Sequence, residues 1–162
     1  MGYKKIEAGI KICAERLGEL ADGGPDASEF ESHLVARLVV LIVSEYEELI
    51  EGAFVKRAEA CGDEAIANYV RSIIARKFRS PDITKITETL AHFGGDYKKS
   101  FSEAVLNTEP HAAWDNIMRA RHAVVHKSGA LNLTLRELKD SYPKTKKVIS
   151  VLENVLGVQI VD

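Results

Sequence analysis

Apolar residues recur at helical spacing through residues 28–61, the longest such stretch in the chain. A helix this long and this apolar is expected to form the spine of the core, with the other helices packed around it. Ser28, with Glu31 three residues later, matches a capping box that opens the helix, and Gly62 is expected to stop it near Cys61. The apolar residues of this stretch include Leu34, Val35, Leu38, Leu41, Ile42, Leu49 and Phe54.

Breaking signals divide the rest of the chain into segments of helix length. A Gly-Gly-Pro run and a Ser-Pro pair end two of them, because the residue before a proline disfavours the helical conformation. Asp96, Thr108 and Thr134 are expected to begin the last three helices. The predicted segments are residues 3–21, 28–61, 63–79, 82–93, 96–106, 108–127 and 134–156. The sequence therefore predicts an all-α bundle of about seven helices, forming a single domain of residues 1–162.

The charge balance excludes a protein that coats duplex nucleic acid through a general basic excess. The chain has 22 basic and 24 acidic residues and a formal charge of −2, so any contact with nucleic acid must be local. Cys13 and Cys61 form no C-x-x-C pair, which argues against a zinc site and indicates a reducing compartment. The apolar run 38–43 is too short to span a bilayer, and residues 1–10 do not resemble a signal peptide. We therefore expect a cytoplasmic protein with no membrane contact, no cofactor and no metal.

Arg121 and His126 are the candidate catalytic pair. Phosphodiester cleavage needs a fixed cation to stabilise the phosphorane and a group that moves a proton near neutrality. In a continuous helix, about 100° per residue would place the two side chains about 140° apart, on different faces. If the helix unwinds near Val125, as Ser128–Gly129 suggests, His126 swings back towards Arg121. On spacing alone, an Arg and a His that cap a helix end remain the favoured interpretation.

The segment RHAVVH at residues 121–126 resembles the motif of the HEPN superfamily, in which four to six residues separate an Arg from a His. A polar residue, often Asn or Asp, follows the Arg in that motif, and His122 stands there in this chain. Most of residues 28–157 also resembles the RiboL-PSP branch and a related branch of the superfamily. The likeness includes a long early helix whose apolar run ends in a Glu, as in residues 38–45, and a helix before the motif, as in residues 114–120.

The resemblance implies an HEPN-like four-helix core with additional short helices. It also implies a metal-independent endoribonuclease of a defence or toxin–antitoxin type, in which a homodimer forms one composite cleft. Arg121 and His126 would be catalytic, and the RNA 2′-hydroxyl would attack to leave a cyclic phosphate. RNA is then the expected partner, together with an antitoxin or other regulatory protein. The alternatives are a non-catalytic helical module that binds a partner protein or a nucleotide or RNA, and a purely structural bundle.

Supporting residues are predicted around this pair. Glu45 shares the helical face of the apolar stripe, so it is either buried, with Arg121 as the obvious partner, or at the edge of the stripe and in solvent. The role of His122 stays open. The residues expected to contact substrate are Arg119, Lys127 and Asn116, with Asp115 as a further candidate lining the cleft.

The remaining histidines and basic clusters favour structural roles. The histidines His33, His92 and His111 share no ligand spacing with one another or with an acidic partner, so no metal site is predicted. Two basic clusters are more typical of solvated helix faces than of an RNA track. The first comprises Arg71, Arg76, Lys77 and Arg79, and the second comprises Lys144, Lys146 and Lys147.

Overall fold

Each of the seven segments predicted from helical spacing contains a helix in the computed structural model, which describes residues 2–19, 25–126, 131 and 133–160. These ranges contain no strand, so the all-α prediction is confirmed. None of the described helices combines the length and the apolarity that crossing a membrane requires. The helices are α1 (Gly2–Glu19), α2 (Pro25–Glu59), α3 (Glu64–Lys77), α4 (Ile83–Phe93), α5 (Gly95–Val105), α6 (Glu109–His126) and α7 (Leu135–Leu156).

The start of α2 differs from its prediction. The helix begins at Pro25, so Ser28 lies within its first turns and the predicted capping box is wrong. Proline suits a first helical position because its fixed φ is compatible with the helix and the NH group that it lacks would have no intrahelical partner. The Glu31 carboxylate accepts a hydrogen bond from the backbone NH of Leu135 at 2.9 Å instead. This acidic side chain therefore ties α2 to the first turn of α7.

The start of α5 is a second correction. Gly94 is the N-cap, the helix begins at Gly95, and Asp96 lies in the first turn without acting as a cap. The other predicted starts match more closely. Thr134 caps α7 through a reciprocal capping box with Glu137.

Helix α2 occupies the centre of the bundle, in contact with α1, α3, α6 and α7. Because neighbours cover it on several sides, its buried residues extend well beyond the single stripe read from the sequence. The prediction that this helix forms the spine of the core is confirmed. Its buried hydrophobic residues are Val35, Leu38, Val39, Ile42, Val43, Tyr46, Leu49, Ile50, Ala53, Phe54 and Ala58.

A stacked aromatic pair fixes α6 against α2. The rings of Tyr46 and Trp114 are 4.8 Å apart between centroids and inclined by 9°. The Trp114 indole NH donates to the carbonyl oxygen of Pro81 at 2.8 Å, and the Tyr46 hydroxyl is hydrogen-bonded to Thr145 Oγ1 at 2.5 Å. The pair thus joins α2, α6, α7 and the turn between α3 and α4 at one buried point. This junction determines the position of the later turns of α6.

Candidate functional site

Helix α6 continues through the whole motif. Residues 121–126 are helical, so the first of the two alternatives, a continuous helix, is correct and unwinding near Val125 does not occur. Ser128–Gly129 lie outside the described residues. At about 100° per residue, the side chains of Arg121 and His126 leave the helix about 140° apart. Within one chain, the cation and the imidazole therefore face different directions.

Arg121 lies on the buried side of α6. It follows Trp114 by seven residues, or about two turns, which returns it to the same helical face. Its side chain is 25% exposed, and its Nη2 atom lies 4.0 Å from Oε1 of Glu47 on α2. The guanidinium is therefore held beside a carboxylate while part of it still reaches solvent.

Glu47 links this arginine to the turn between α3 and α4. Its Oε1 atom accepts a hydrogen bond from the backbone NH of Ser80 at 2.7 Å. Ser80 adopts a left-handed conformation with φ 57°, and Lys85 Nζ donates to its carbonyl oxygen at 3.0 Å. A conformation that non-glycine residues rarely adopt is thus held by charged side chains at both of its backbone groups. Glu47 and Ser80 were not predicted as site residues.

The sequence did contain a signal for Glu47, but a weak one. Relative to Leu38, Glu47 is about 180° round the helix, which places it opposite the stripe that the periodicity emphasises. Apolar residues such as Val43 and Phe54 lie close to Glu47 on that second side, and both are buried. A helix that is apolar on both sides is expected to be covered on both sides, and this pattern could have identified Glu47 as a contact residue.

Acidic residues follow one another along α2 beside this contact. The pKa of the Glu51 carboxyl, one turn after Glu47, is raised above its ordinary value, first by partial burial and then by the charges of Glu47 and Glu48. Of these three carboxylates, the structure pairs that of Glu47 with the Arg121 guanidinium.

Glu45 is buried, which was one of the two predicted alternatives. The prediction that Arg121 is its partner was wrong. The residue is 5% exposed, and its Oε1 atom binds Lys5 Nζ of α1 at 2.8 Å. Two residues separate Glu45 from Glu47, so their side chains leave α2 about 200° apart. Glu45 therefore points to α1, and Glu47 takes the place beside Arg121 that was predicted for Glu45.

His122 and His126 form a pair at the end of α6. Both residues are exposed, and their ring centroids are 4.2 Å apart with the rings inclined by 45°. The contact follows from their spacing, because residues four apart lie one above the other on a helix. Within one chain, the side chain of His126 therefore contacts that of His122 and not that of Arg121.

A groove between α6 and the start of α7 holds two of the predicted substrate-binding residues. Its volume is about 520 Å³, and neither Arg121 nor His126 lines it. The side chain of Arg119 is hydrogen-bonded to Asn116 Oδ1 along its rim. Lys127 lies outside the described residues. The groove is lined by Asn116, Arg119, Ala120, Ala123, Leu131, Leu133, Glu137, Asp140 and Ser141.

The comparison with protein families identifies the chain. The family model of RiboL-PSP-HEPN matches residues 12–157, which include the whole of α6 and most of the bundle. The chain belongs to the RiboL-PSP-HEPN family. No curated protein and no solved structure matches it. Membership of an HEPN family is consistent with a ribonuclease-type or nucleotide-binding module.

Two other histidines of this HEPN chain lie beside acidic residues. His33 lies 3.8 Å from Glu29, and His111 lies 3.4 Å from Asp115, each pair one helical turn apart. For these two histidines, the prediction that they share no spacing with an acidic partner was therefore wrong. Asp115 is paired with His111 and does not line the groove. Within the part of the HEPN chain that the structure describes, no group of three or more His, Cys, Asp or Glu residues could hold a metal ion.

Ion pairs engage several members of the predicted basic clusters. Arg71 Nη2 lies 2.6 Å from Glu59 Oε1, and Lys144 Nζ lies 2.5 Å from Glu109 Oε1. Lys146 is bound to Glu7. These contacts favour the interpretation of both clusters as paired, solvated helix faces.

Proposed function

We propose that this HEPN chain is a metal-independent endoribonuclease whose active site is completed by a homodimer. The observation that carries the proposal is the direction of the two motif side chains on one continuous helix. Arg121 faces α2, whereas His126 is exposed on another face. One chain therefore does not direct both groups at one phosphate. Two copies that meet at the exposed ends of α6 would form a cleft in which an arginine and a histidine reach the same phosphodiester.

The proposed reaction uses the RNA 2′-hydroxyl as the nucleophile. His126 of one copy takes the proton of the 2′-hydroxyl as its oxygen bonds to phosphorus, and the bond to the 5′-oxygen breaks. Water supplies a proton to that leaving oxygen. Arg121 hydrogen-bonds the non-bridging oxygens and offsets their growing negative charge. The products are a 2′,3′-cyclic phosphate and a 5′-hydroxyl end.

The surrounding residues have positioning and binding roles in this proposal. Glu47 positions the Arg121 guanidinium, and His122 orients the ring of His126 through their contact. Arg119 and Asn116 contact the RNA backbone from the rim of the groove. Lys127 is included in this set on its sequence position beside the motif.

The direct test is cleavage of an end-labelled single-stranded RNA in EDTA by purified protein. We expect the wild type to cut, and His126→Ala or Arg121→Ala to lower the rate by about 10²–10⁴-fold. His33→Ala and Arg76→Ala replace exposed residues of the same types elsewhere and should cut like the wild type. Melting temperatures close to that of the wild type would show that the motif variants are folded. Undiminished cutting by both motif variants would exclude this site.

Mixing the two inactive variants tests whether the site is composite. A heterodimer of the Arg121→Ala and His126→Ala chains keeps one intact arginine and one intact histidine, on different copies. If the cleft takes these groups from both copies, mixing restores part of the activity. If the mixture stays as inactive as each variant alone although heterodimers form, the composite cleft is wrong.

A second candidate function is a binding module that never cuts. The groove between α6 and α7 favours it, because this cavity holds polar groups for a ligand yet contains neither motif residue. A wild-type protein that binds RNA or a nucleotide, leaves it intact and loses binding in an Arg119→Ala variant would support this alternative over the nuclease.

The biological role proposed with the nuclease is that of a toxin or defence component controlled by an antitoxin or other regulatory protein. Induced expression of the wild type alone should then arrest growth, whereas equal expression of His126→Ala should not. Equal growth with both chains, at equal protein levels, would contradict this role.

A further inference from the structure

The histidine pair at the end of α6 has a geometry that the proposed reaction does not require. His122 and His126 are both exposed, and their ring centroids are 4.2 Å apart. We propose that the two imidazoles form a site for a divalent transition-metal ion of the Zn²⁺ type, and that the bound ion inhibits the proposed nuclease. The second half of this proposal rests on the proposed function, whereas the first half does not.

The spacing of the pair suits a bridging metal ion. Histidines four residues apart lie on one face of a helix, which is the arrangement by which helical zinc motifs present two imidazoles to one ion. Zn²⁺ binds imidazole nitrogen at about 2.0–2.1 Å in a tetrahedral geometry, so two such nitrogens lie about 3.3 Å apart. In that geometry the two ring centroids lie about 5 Å apart. The rings, whose centroids are 4.2 Å apart without an ion, would have to rotate away from each other by about 1 Å to bind one ion together.

The chemistry of the donors selects the class of ion. Imidazole nitrogen suits Zn²⁺, Cu²⁺ and Ni²⁺, whereas Mg²⁺ and Ca²⁺ require oxygen ligands. The described residues offer no third His, Cys, Asp or Glu at this place, so water would complete the coordination. A two-ligand site open to solvent exchanges its ion readily. The site therefore suits reversible control by the free metal concentration and not a permanently bound cofactor.

Occupation of the site would remove the proton-transfer group of the proposed reaction. A ring nitrogen of His126 that is bound to a metal ion cannot accept the 2′-hydroxyl proton. Catalysis by the proposed nuclease then needs no metal ion, and a bound transition-metal ion inhibits it. EDTA should raise its activity or leave it unchanged.

The binding test is calorimetric titration of Zn²⁺ into untagged, EDTA-stripped protein that has been dialysed free of chelator. We expect the wild type to bind Zn²⁺ and to show no comparable heat with Mg²⁺. His122→Ala and His126→Ala should each weaken Zn²⁺ binding by tenfold or more. His33→Ala and His92→Ala, which remove exposed histidines from α2 and α4, should bind like the wild type.

A melting experiment provides the second binding measurement. Zn²⁺ should raise the melting temperature of the wild type and of both control variants, but not that of His122→Ala, because a ligand stabilises only the fold that binds it. Zn²⁺ binding by the His122→Ala and His126→Ala variants that is as strong as that of the wild type would overturn the site. Absence of Zn²⁺ binding by the wild type would overturn it as well.

The inhibition test repeats the RNA cleavage assay across the Zn²⁺ range of the titration. Cleavage by the wild type should fall in the same range in which the ion binds, and excess EDTA should restore it. Zn²⁺ that binds the pair but leaves cleavage unchanged would overturn the inhibition and keep the site. A protein that never cuts RNA would overturn the proposed function and the inhibition together, and the calorimetric result would still decide whether the metal site exists.

Discussion

The middle and the end of helix α6 differ sharply in their surroundings. In its middle turns, Trp114 and Ile117 are completely buried, and the indole is both stacked and hydrogen-bonded. Near its end, His122 and His126 are exposed and contact each other. The same helix is therefore anchored by the core in its middle and exposes two imidazoles to solvent at its end. Substitutions of the two histidines are expected to have little consequence for folding.

Arg121 stands between these two environments. It continues the buried face of Trp114, yet it lies close to the exposed end of the helix and keeps a quarter of its side-chain surface accessible. The carboxylate of Glu47 compensates the charge at this boundary. The position of Arg121 therefore depends on packing inside the bundle, whereas that of His126 depends on the helix end alone.

Substitution of the tryptophan should give the largest effect on stability. Trp114→Ala removes a completely buried ring, its stack on Tyr46 and the bond to the Pro81 carbonyl. We expect a loss of about 3–5 kcal/mol in the free energy of unfolding, measured by urea denaturation with circular dichroism. His122→Ala, at the exposed end, should change it by about 0.5 kcal/mol or less. Similar losses in the two variants would refute the contrast between the middle and the end of α6.

A smaller effect is expected at the start of α7, which faces the exposed end of α6 across the groove. Thr134 caps this helix through its hydroxyl, which accepts from the Glu137 backbone NH at 3.2 Å. Thr134→Ala should lower the free energy of unfolding by about 1 kcal/mol at neutral pH. Ser141→Ala, later in the same helix and on the same groove, is the control that leaves the cap intact. Equal losses in both variants would show that the cap contributes nothing specific.

The same cap should make stability depend on acidity. The backbone NH of Thr134, and then its hydroxyl, donate to Glu137 and lower the pKa of that carboxyl below its ordinary value of 4.5. A carboxyl with a folded-state pKa below its unfolded-state pKa stabilises the fold fully above the unfolded-state value. That stabilisation disappears as the pH falls through the folded-state value. Glu137→Gln should therefore flatten part of the decline in melting temperature below pH 4.5. An unchanged acid profile would contradict this linkage.

The smallest effect is expected at the boundary between the two environments. Glu47→Gln keeps an acceptor for the Ser80 NH but removes the charge that faces Arg121. Because both side chains are partly exposed, we expect a loss of about 0.2–1 kcal/mol in stability. If the transition state of RNA cleavage loses a similar amount of stabilising free energy, cleavage slows by up to about fivefold. Glu48→Gln, an exposed neighbour, should change neither quantity. Cleavage by Glu47→Gln equal to that of this control would remove Glu47 from the site.

The helices could be predicted from sequence because their signals are local. Period-3.6 patterns and breaking residues located all seven, and Thr134 with Glu137 marked the start of α7 correctly. The errors occurred where a distant contact replaced a local one. Glu31 has the spacing of a capping box, but its carboxylate binds the backbone of α7, 104 residues away in the chain. No local pattern contains that information.

The candidate site divides in the same manner. The position of the motif follows from residue types and spacing, whereas the partner of each charged side chain depends on which helices surround α2. Glu45 and Glu47 illustrate this, because both are acidic, both are partly or wholly buried, and only tertiary packing assigns one to Lys5 and the other to Arg121. A sequence pattern identifies the face of a helix, but it does not identify the helix that covers that face.

The stacked indole at the centre of the bundle also gives this protein an intrinsic optical probe. Trp114 is its single tryptophan and is wholly shielded from water, so its fluorescence comes from one defined environment. Emission from this ring should shift to longer wavelength when the bundle opens. Because the ring lies about two turns from Arg121 on the same face of α6, movements of that helix can be followed in real time without attaching a label.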